Sequence, residues 1–138
     1  MTDQMIIAAD AGPVRPVVSV CRSCRGPDAP PDLAPDQRPG AVLARGLCDS
    51  QPDDVAVQVV DCLGNCNRGP SAALQCAGRW QYLFGEIDPA SGPADLLAAA
   101  RLLAEAQDGL LPWRTRPPAL KKGLIARLPA FPAPIAAG

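Results

Sequence analysis

The sequence predicts an α/β fold in which a mixed sheet is built in the order β, α, β, β, β, α. Three observations carry this prediction: two β-branched runs that each end at a cysteine pair, a hairpin pattern after them, and an amphipathic helix late in the chain. The chain has 138 residues, a normal length for one domain with a modest hydrophobic core.

The first strand is predicted at Val17 to Cys21, a β-branched run that leads directly into the motif Cys21-Arg-Ser-Cys24. Residues 1–16 show no clear period and are predicted to form a flexible arm. Residues 26–39 hold five prolines and three aspartates, which indicates a loop. Apolar residues at helical spacing then predict a short helix over Ala41 to Cys48.

The second strand, Val55 to Asp61, is the clearest in the sequence and leads into the motif Cys62-Leu-Gly-Asn-Cys66. Two strands joined by a helix pair in parallel through a right-handed crossover, so their carboxyl ends share one edge of the sheet. We therefore expect Cys21 and Cys62 to emerge side by side.

Two further strands are predicted at Ser71 to Cys76 and Arg79 to Gly85, with Ala77-Gly78 as the turn between them. An apolar stripe, with Pro93 near its start, predicts an amphipathic helix over Pro93 to Asp108. Beyond it the chain is rich in proline and arginine. The domain organisation expected is an arm at 1–16, a domain at 17–109 and an extended tail at 110–138.

Two interpretations of that tail stay open. The first is a tail packed along its own domain. The second is an arm that docks a partner, because Trp113 lies among basic residues that could meet an acidic surface.

Composition excludes several classes of function. The formal net charge of -1 lacks the basic excess that binding to nucleic acid requires. No stretch approaches the roughly 20 apolar residues of a membrane helix. The first ten residues carry no Lys or Arg before their short apolar run, which is unlike a secretory signal. A cytoplasmic protein is predicted.

Six cysteines and no histidine indicate that a metal here is held by thiolates. The CxxC and CxxxC motifs supply Cys21, Cys24, Cys62 and Cys66, the complement required by a [2Fe-2S] cluster or a tetrahedral zinc ion. The other two cysteines, Cys48 and Cys76, are predicted to be bystanders. If Cys24 is not a ligand, Cys48 is the residue predicted to replace it, and we call it the reserve ligand.

Neighbouring residues fit a bound anionic centre. Gly64 and Gly69 allow the tight turns in which backbone N–H groups point at a cluster. The basic residues Arg22, Arg25 and Arg68 flank the motifs, and they either offset a cluster's negative charge, steer an acidic partner or are simply solvated. No catalytic residue is assigned. A thiol–disulfide oxidoreductase that uses Cys21 and Cys24 remains an alternative.

The segment CLGNCNRGPSAAL, followed by WQYLFGEIDP, resembles the second half of the thioredoxin-like [2Fe-2S] ferredoxins. The resemblance implies a thioredoxin-like βαβββα fold, a homodimer, and Cys62 and Cys66 as two cluster ligands. The first half departs from that family, which places its first two ligands much further apart than Cys21 and Cys24. The resemblance therefore does not extend to Cys24.

Residues 17–130 as a whole, including DGLLPWRTRPPALKKGLIARLP, are more similar to a bacterial family of predicted metal-binding proteins of unknown function. That resemblance implies a link to cobalamin synthesis. The predicted function is one-electron transfer or cluster delivery to a redox or cluster-accepting protein partner. The alternatives are a zinc or metal-delivery accessory protein that uses the same four thiolates and is connected with cobalamin metabolism, and the thiol–disulfide oxidoreductase.

Overall fold

A computed structural model describes residues 15–25, 30, 32–50 and 52–130, except for the side chain of Cys66. These residues form one sheet with helices, and two 3-10 turns, Pro35–Gln37 and Cys66–Arg68, lie in the connections. The strands and α-helices are β1 (Val17–Cys21), α1 (Pro39–Ser50), β2 (Ala56–Val60), β3 (Ala72–Gln75), β4 (Gln81–Phe84), α2 (Gly92–Glu105), α3 (Ala119–Lys122) and β5 (Leu124–Leu128).

The sheet has the strand order β2-β1-β3-β4-β5. Strands β1 and β2 are parallel, with Cys21 opposite Val60, and the remaining pairs are antiparallel. The predicted mixed α/β sheet and its βαβββα order are confirmed. The carboxyl ends of β1 and β2 lie at the same edge, as the crossover rule requires.

The core forms where one face of the sheet meets α1 and α2. Alternate strand residues point into it because successive side chains in a strand face opposite sides. Its largest fully buried side chains include Tyr82, Phe84, Leu43, Leu47, Leu74, Leu96, Leu103, Val18 and Val20. The amphipathic pattern of the second predicted helix is thus explained by packing onto the sheet.

Both long helices differ slightly from the predicted bounds. Helix α1 begins at Pro39 because proline, which has no N–H to pair, is well suited to the first turn. Helix α2 ends at Glu105 rather than Asp108. The Arg79 side chain donates hydrogen bonds to the carbonyls of Leu103 and Ala104, and it thereby satisfies the end of the helix.

The region predicted as an extended tail contains more regular structure than expected. After the short helix α3, strand β5 pairs with β4, with Leu128 opposite Gln81 and Ala126 opposite Leu83. None of the residues of β5 is fully buried, so their sequence shows little of the alternation that identifies a half-buried strand. Residues 1–14 and 131–138, in the predicted arm and tail, lie outside the described residues.

A buried hydrogen bond joins the segment before α3 to the sheet. The backbone N–H of Leu111 donates to the hydroxyl of Tyr82 over 2.8 Å. The Arg116 guanidinium stacks against the Tyr82 ring at 5.5 Å and against the Trp113 ring at 5.1 Å. These contacts attach the described part of the predicted tail to the domain.

Replacing Tyr82 with phenylalanine should lower the free energy of unfolding by about 1 to 3 kcal/mol, because the buried N–H of Leu111 loses its acceptor. Urea unfolding followed by circular dichroism measures this change. A variant as stable as the parent would show that water or another group replaces the hydroxyl.

None of the helices in the described ranges is long and apolar enough to cross a membrane.

Candidate functional site

The first cysteine motif is attached to the loop that follows β2. Cys21, the last residue of β1, is fully buried, and its thiol donates to the carbonyl of Asp61 over 3.5 Å. The hydroxyl of Ser23 donates to the same carbonyl. Because Asp61 directly precedes Cys62, these bonds bring the backbone of the second motif to the first.

Cys21 and Cys24 form a close pair of thiols. Their Sγ atoms lie 3.0 Å apart, and Cys24 is only 2% exposed. Helix α1 starts directly against this motif: the N–H of Gly40 donates to the carbonyl of Cys24 over 2.9 Å, and a Cβ at Gly40 would lie 2.3 Å from the carbonyl oxygen of Cys21. The glycine therefore permits a contact that no larger residue allows.

The two thiols differ in acidity. Burial raises the pKa of Cys21, but its hydrogen bonds to Cys24, to Ser23 and to the backbone at Ser23 and Leu63 outweigh burial and lower that pKa. Burial, together with the hydrogen bond to Cys21 and the charge on Cys21, raises the pKa of Cys24 to about 12. Cys21 is thus the member of the pair that becomes the thiolate.

In reduced, metal-free protein we expect Cys21 to ionise below the pH of an ordinary cysteine and Cys24 to remain protonated up to about pH 12. Thiolate absorbance in the ultraviolet, followed against pH, measures both steps. In a Cys24→Ala variant the pKa of Cys21 should rise, because the donated hydrogen bond is lost. If the first ionisation occurs at the same pH in that variant as in the parent, the assignment of the lowered pKa to Cys21 through its bond with Cys24 is contradicted.

The second motif is described only in part. Cys62 is exposed, and its Sγ accepts a hydrogen bond from the N–H of Gly64 over 3.1 Å. Cys66 begins the 3-10 turn Cys66–Arg68, and its side chain lies outside the description. Among the side chains that are described, no three His, Cys, Asp or Glu residues lie close enough to hold a metal ion. The set of four ligands remains a prediction.

The two cysteines predicted to be bystanders occupy different surroundings. Cys76 is buried in the core, and burial raises its pKa. It follows Gln75, which pairs with Val17 at the far end of β1, so it lies roughly 16 Å along the strand from Cys21. Cys48 is exposed near the end of α1.

Two of the basic residues beside the motifs have acidic partners that the sequence did not indicate. Arg22 pairs with Asp61 at 2.6 Å, and Arg68 pairs with Glu86 at 3.4 Å. All four side chains are largely exposed, so each pair contributes little to stability. The Arg22 pair nevertheless provides a further link between the loops of the two cysteine motifs.

A cavity beside the first motif was not predicted. It is lined by Ser23 and Arg22 from the motif and by Arg38 and Arg45. Arg45 lies on α1, whereas Arg38 directly precedes that helix and has extended backbone angles. The sequence carries no local signal for this cavity, because the fold brings these arginines to Arg22.

Comparison with known proteins gives a family without an assigned activity. No curated protein sequence matches the chain. A solved structure that it resembles is that of a thioredoxin-like [2Fe-2S] ferredoxin from Aquifex aeolicus, with 16% sequence identity, a TM-score of 0.46, and coverage of 75% of this chain and 96% of that one. Residues 18–130 match the family model described as "Protein of unknown function (DUF1636)". The chain therefore belongs to the DUF1636 family.

Proposed function

We propose that the chain holds a [2Fe-2S] cluster on Cys21, Cys24, Cys62 and Cys66. The cluster would serve in one-electron transfer or in delivery to a redox or cluster-accepting protein partner. The observation that carries the proposal is the contact of the Cys21 thiol with the Asp61 carbonyl, 3.5 Å away, because it joins the two cysteine motifs.

The chemistry of the donors suits such a centre. Four thiolates are the usual ligands of a [2Fe-2S] cluster. Two thiolates on one tetrahedral metal, each about 2.3 Å from it, are separated by roughly 3.8 Å. The Sγ atoms of Cys21 and Cys24 lie 3.0 Å apart. A small side-chain adjustment would therefore allow the pair to share one metal.

A bound cluster would supply one-electron exchange, and the surrounding chain would set its reduction potential. The N–H of Gly64 donates to Cys62, and the backbone at Leu63 bonds to Cys21. Hydrogen bonds to ligand sulfurs stabilise the added negative charge and raise the reduction potential. Buried Cys21 and Cys24 would shield one side of the centre from water, and exposed Cys62 would mark the side open to a partner.

Anaerobic purification followed by analysis of iron, acid-labile sulfide and zinc tests the proposal. We expect a brown protein with about two irons and two sulfides per chain, whose visible absorbance bleaches with dithionite. A colourless protein with one zinc ion would contradict the cluster and favour the alternative of a zinc or metal-delivery accessory protein. A protein without either metal would contradict both.

The second candidate function, thiol–disulfide exchange, is favoured by the contact of the two thiols at 3.0 Å and by their opposite pKa shifts. The Cys21 thiolate would attack a substrate disulfide, forming a mixed disulfide and releasing one substrate thiolate. Cys24, on losing its proton, would attack Cys21 Sγ, form the internal disulfide and release the second substrate thiol. Reductase activity that survives Cys62→Ser and Cys66→Ser would support this candidate over the cluster.

A further inference from the structure

A cavity of about 520 Å³ opens beside the first cysteine motif. Its walls come from the loop after β1, from the turn and helix that follow, and from the edge strand β2. The lining residues that carry a charge, a hydroxyl or a thiol are Arg22, Ser23, Asp36, Arg38, Arg45 and Cys48. Ser23 lies between Cys21 and Cys24 in sequence, so a molecule bound here would contact the first cysteine motif.

Positive charge is concentrated in this cavity although the chain as a whole carries a formal net charge of -1. Three arginines line it against a single acidic residue, Asp36. The guanidinium of Arg22 is held by Asp61 outside the cavity lining. Within the described ranges, the guanidinium of Arg45 donates only to a backbone carbonyl, that of Asp36, over 2.8 Å.

The remaining arginine has an unsatisfied donor. The Nε atom of Arg38 is buried and makes no hydrogen bond within the part of the chain that is described. An unpaired buried donor costs about 1 to 3 kcal/mol, and more where the group is charged. An anion in the cavity would offset the positive charge of the guanidinium groups of Arg38 and Arg45.

We propose that this cavity binds a small oxyanion, a carboxylate or phosphate compound, through Arg38 and Arg45. Its volume falls in the range of roughly 300 to 1,000 Å³ that is typical of small-molecule sites. Apolar side chains, including those of Ala41, Ala44 and Val59, line the rest of the cavity, so an apolar part of the anion would also find contacts. This inference does not depend on the proposed cluster.

Exposed Cys48 provides a built-in reporter for the cavity. Its thiolate attacks one sulfur of an aromatic disulfide, which forms a mixed disulfide at Cys48 and releases one aromatic thiolate. The intact, reduced protein would be treated in parallel with dianionic dithiobis(nitrobenzoate) and with neutral dithiodipyridine. Mass spectrometry of the Cys48 peptide would give the rate of labelling at that residue alone.

The ratio of the anionic to the neutral rate at Cys48 should fall about fivefold in Arg38→Gln/Arg45→Gln at low salt. It should also decline in the wild type as salt is added. The matched control, Arg114→Gln/Lys122→Gln, removes two charges from the segment leading to β5, at the other edge of the sheet from β2, and should keep the wild-type ratio. The single variant Arg45→Gln, at an exposed residue, should give an intermediate ratio. It tests the proposal even if the double variant does not fold.

Citrate and inorganic phosphate should each slow the labelling of Cys48 in the wild type and in the Arg114→Gln/Lys122→Gln control. The anion that slows labelling more shows whether the site prefers a carboxylate or a phosphate. A rate ratio that is equal in wild type and Arg38→Gln/Arg45→Gln would overturn the proposal. Protection by a polyglutamate peptide alone would overturn it as well, in favour of an acidic protein partner. Metal analysis of the same samples reports separately on the cluster.

Discussion

Replacing Cys21 with serine is expected to abolish the visible absorbance and to reduce iron and sulfide to background. Among the described cysteines, Cys21 is the one whose sulfur contacts both Cys24 and the residue before Cys62. Serine is close in size but lacks the soft sulfur donor that iron in such clusters requires. Visible spectroscopy and metal analysis after anaerobic purification measure the loss.

The matched controls are Cys76→Ser and Cys48→Ser. Cys76 is buried as Cys21 is, but it lies in the core at the far end of β1, so its replacement is expected to lower stability without removing the chromophore. Cys48 is exposed on α1, and its replacement should be silent. A Cys21→Ser protein with full iron content would contradict the assignment of Cys21 as a ligand. Loss of iron in Cys48→Ser would show that Cys48, and not Cys24, completes the set of four ligands.

Replacing Gly69 with alanine is expected to displace Cys24 and thereby to lower metal content several-fold. A Cβ at this position would lie 2.8 Å from both the Cβ and the Sγ of Cys24. Gly69 has a φ of -76°, which any residue adopts, so the substitution acts through this contact. Overpacking of this kind costs about 1 to 3 kcal/mol, measured by urea unfolding of the metal-free protein.

Gly78→Ala separates this effect from a general loss of stability. Gly78 has a φ of 77°, and a Cβ there would meet nothing within 4 Å. Alanine at Gly78 should therefore lower stability by about 1 kcal/mol through backbone strain and leave metal content unchanged. Equal metal content in the two alanine variants would show that the position of Cys24 does not matter for metal binding.

The elements that the sequence predicts well are those with strong local signals. The run at Val17–Cys21 was predicted with its observed bounds, because β-branched residues and the cysteine motif delimit it. The shared edge of β1 and β2 followed from the handedness of parallel crossovers, which does not depend on particular side chains. The Ala77-Gly78 turn was likewise marked by its residue types.

Features that depend on contacts distant in the chain could not be predicted. Strand β5 is recognisable mainly through its pairing with β4. The close packing of Gly40 and Gly69 against the first cysteine motif reflects tertiary structure, since neither glycine has a positive φ. The oxyanion cavity likewise combines Arg22 with Arg38 and Arg45, which only the folded chain brings together.

The most direct test of the four-cysteine centre is anomalous diffraction at the iron absorption edge, from crystals of the anaerobically purified protein. The proposal predicts two iron peaks bonded to the Sγ atoms of Cys21, Cys24, Cys62 and Cys66. A disulfide between Cys21 and Cys24 with no iron peak nearby, or iron bound elsewhere on the chain, would contradict it.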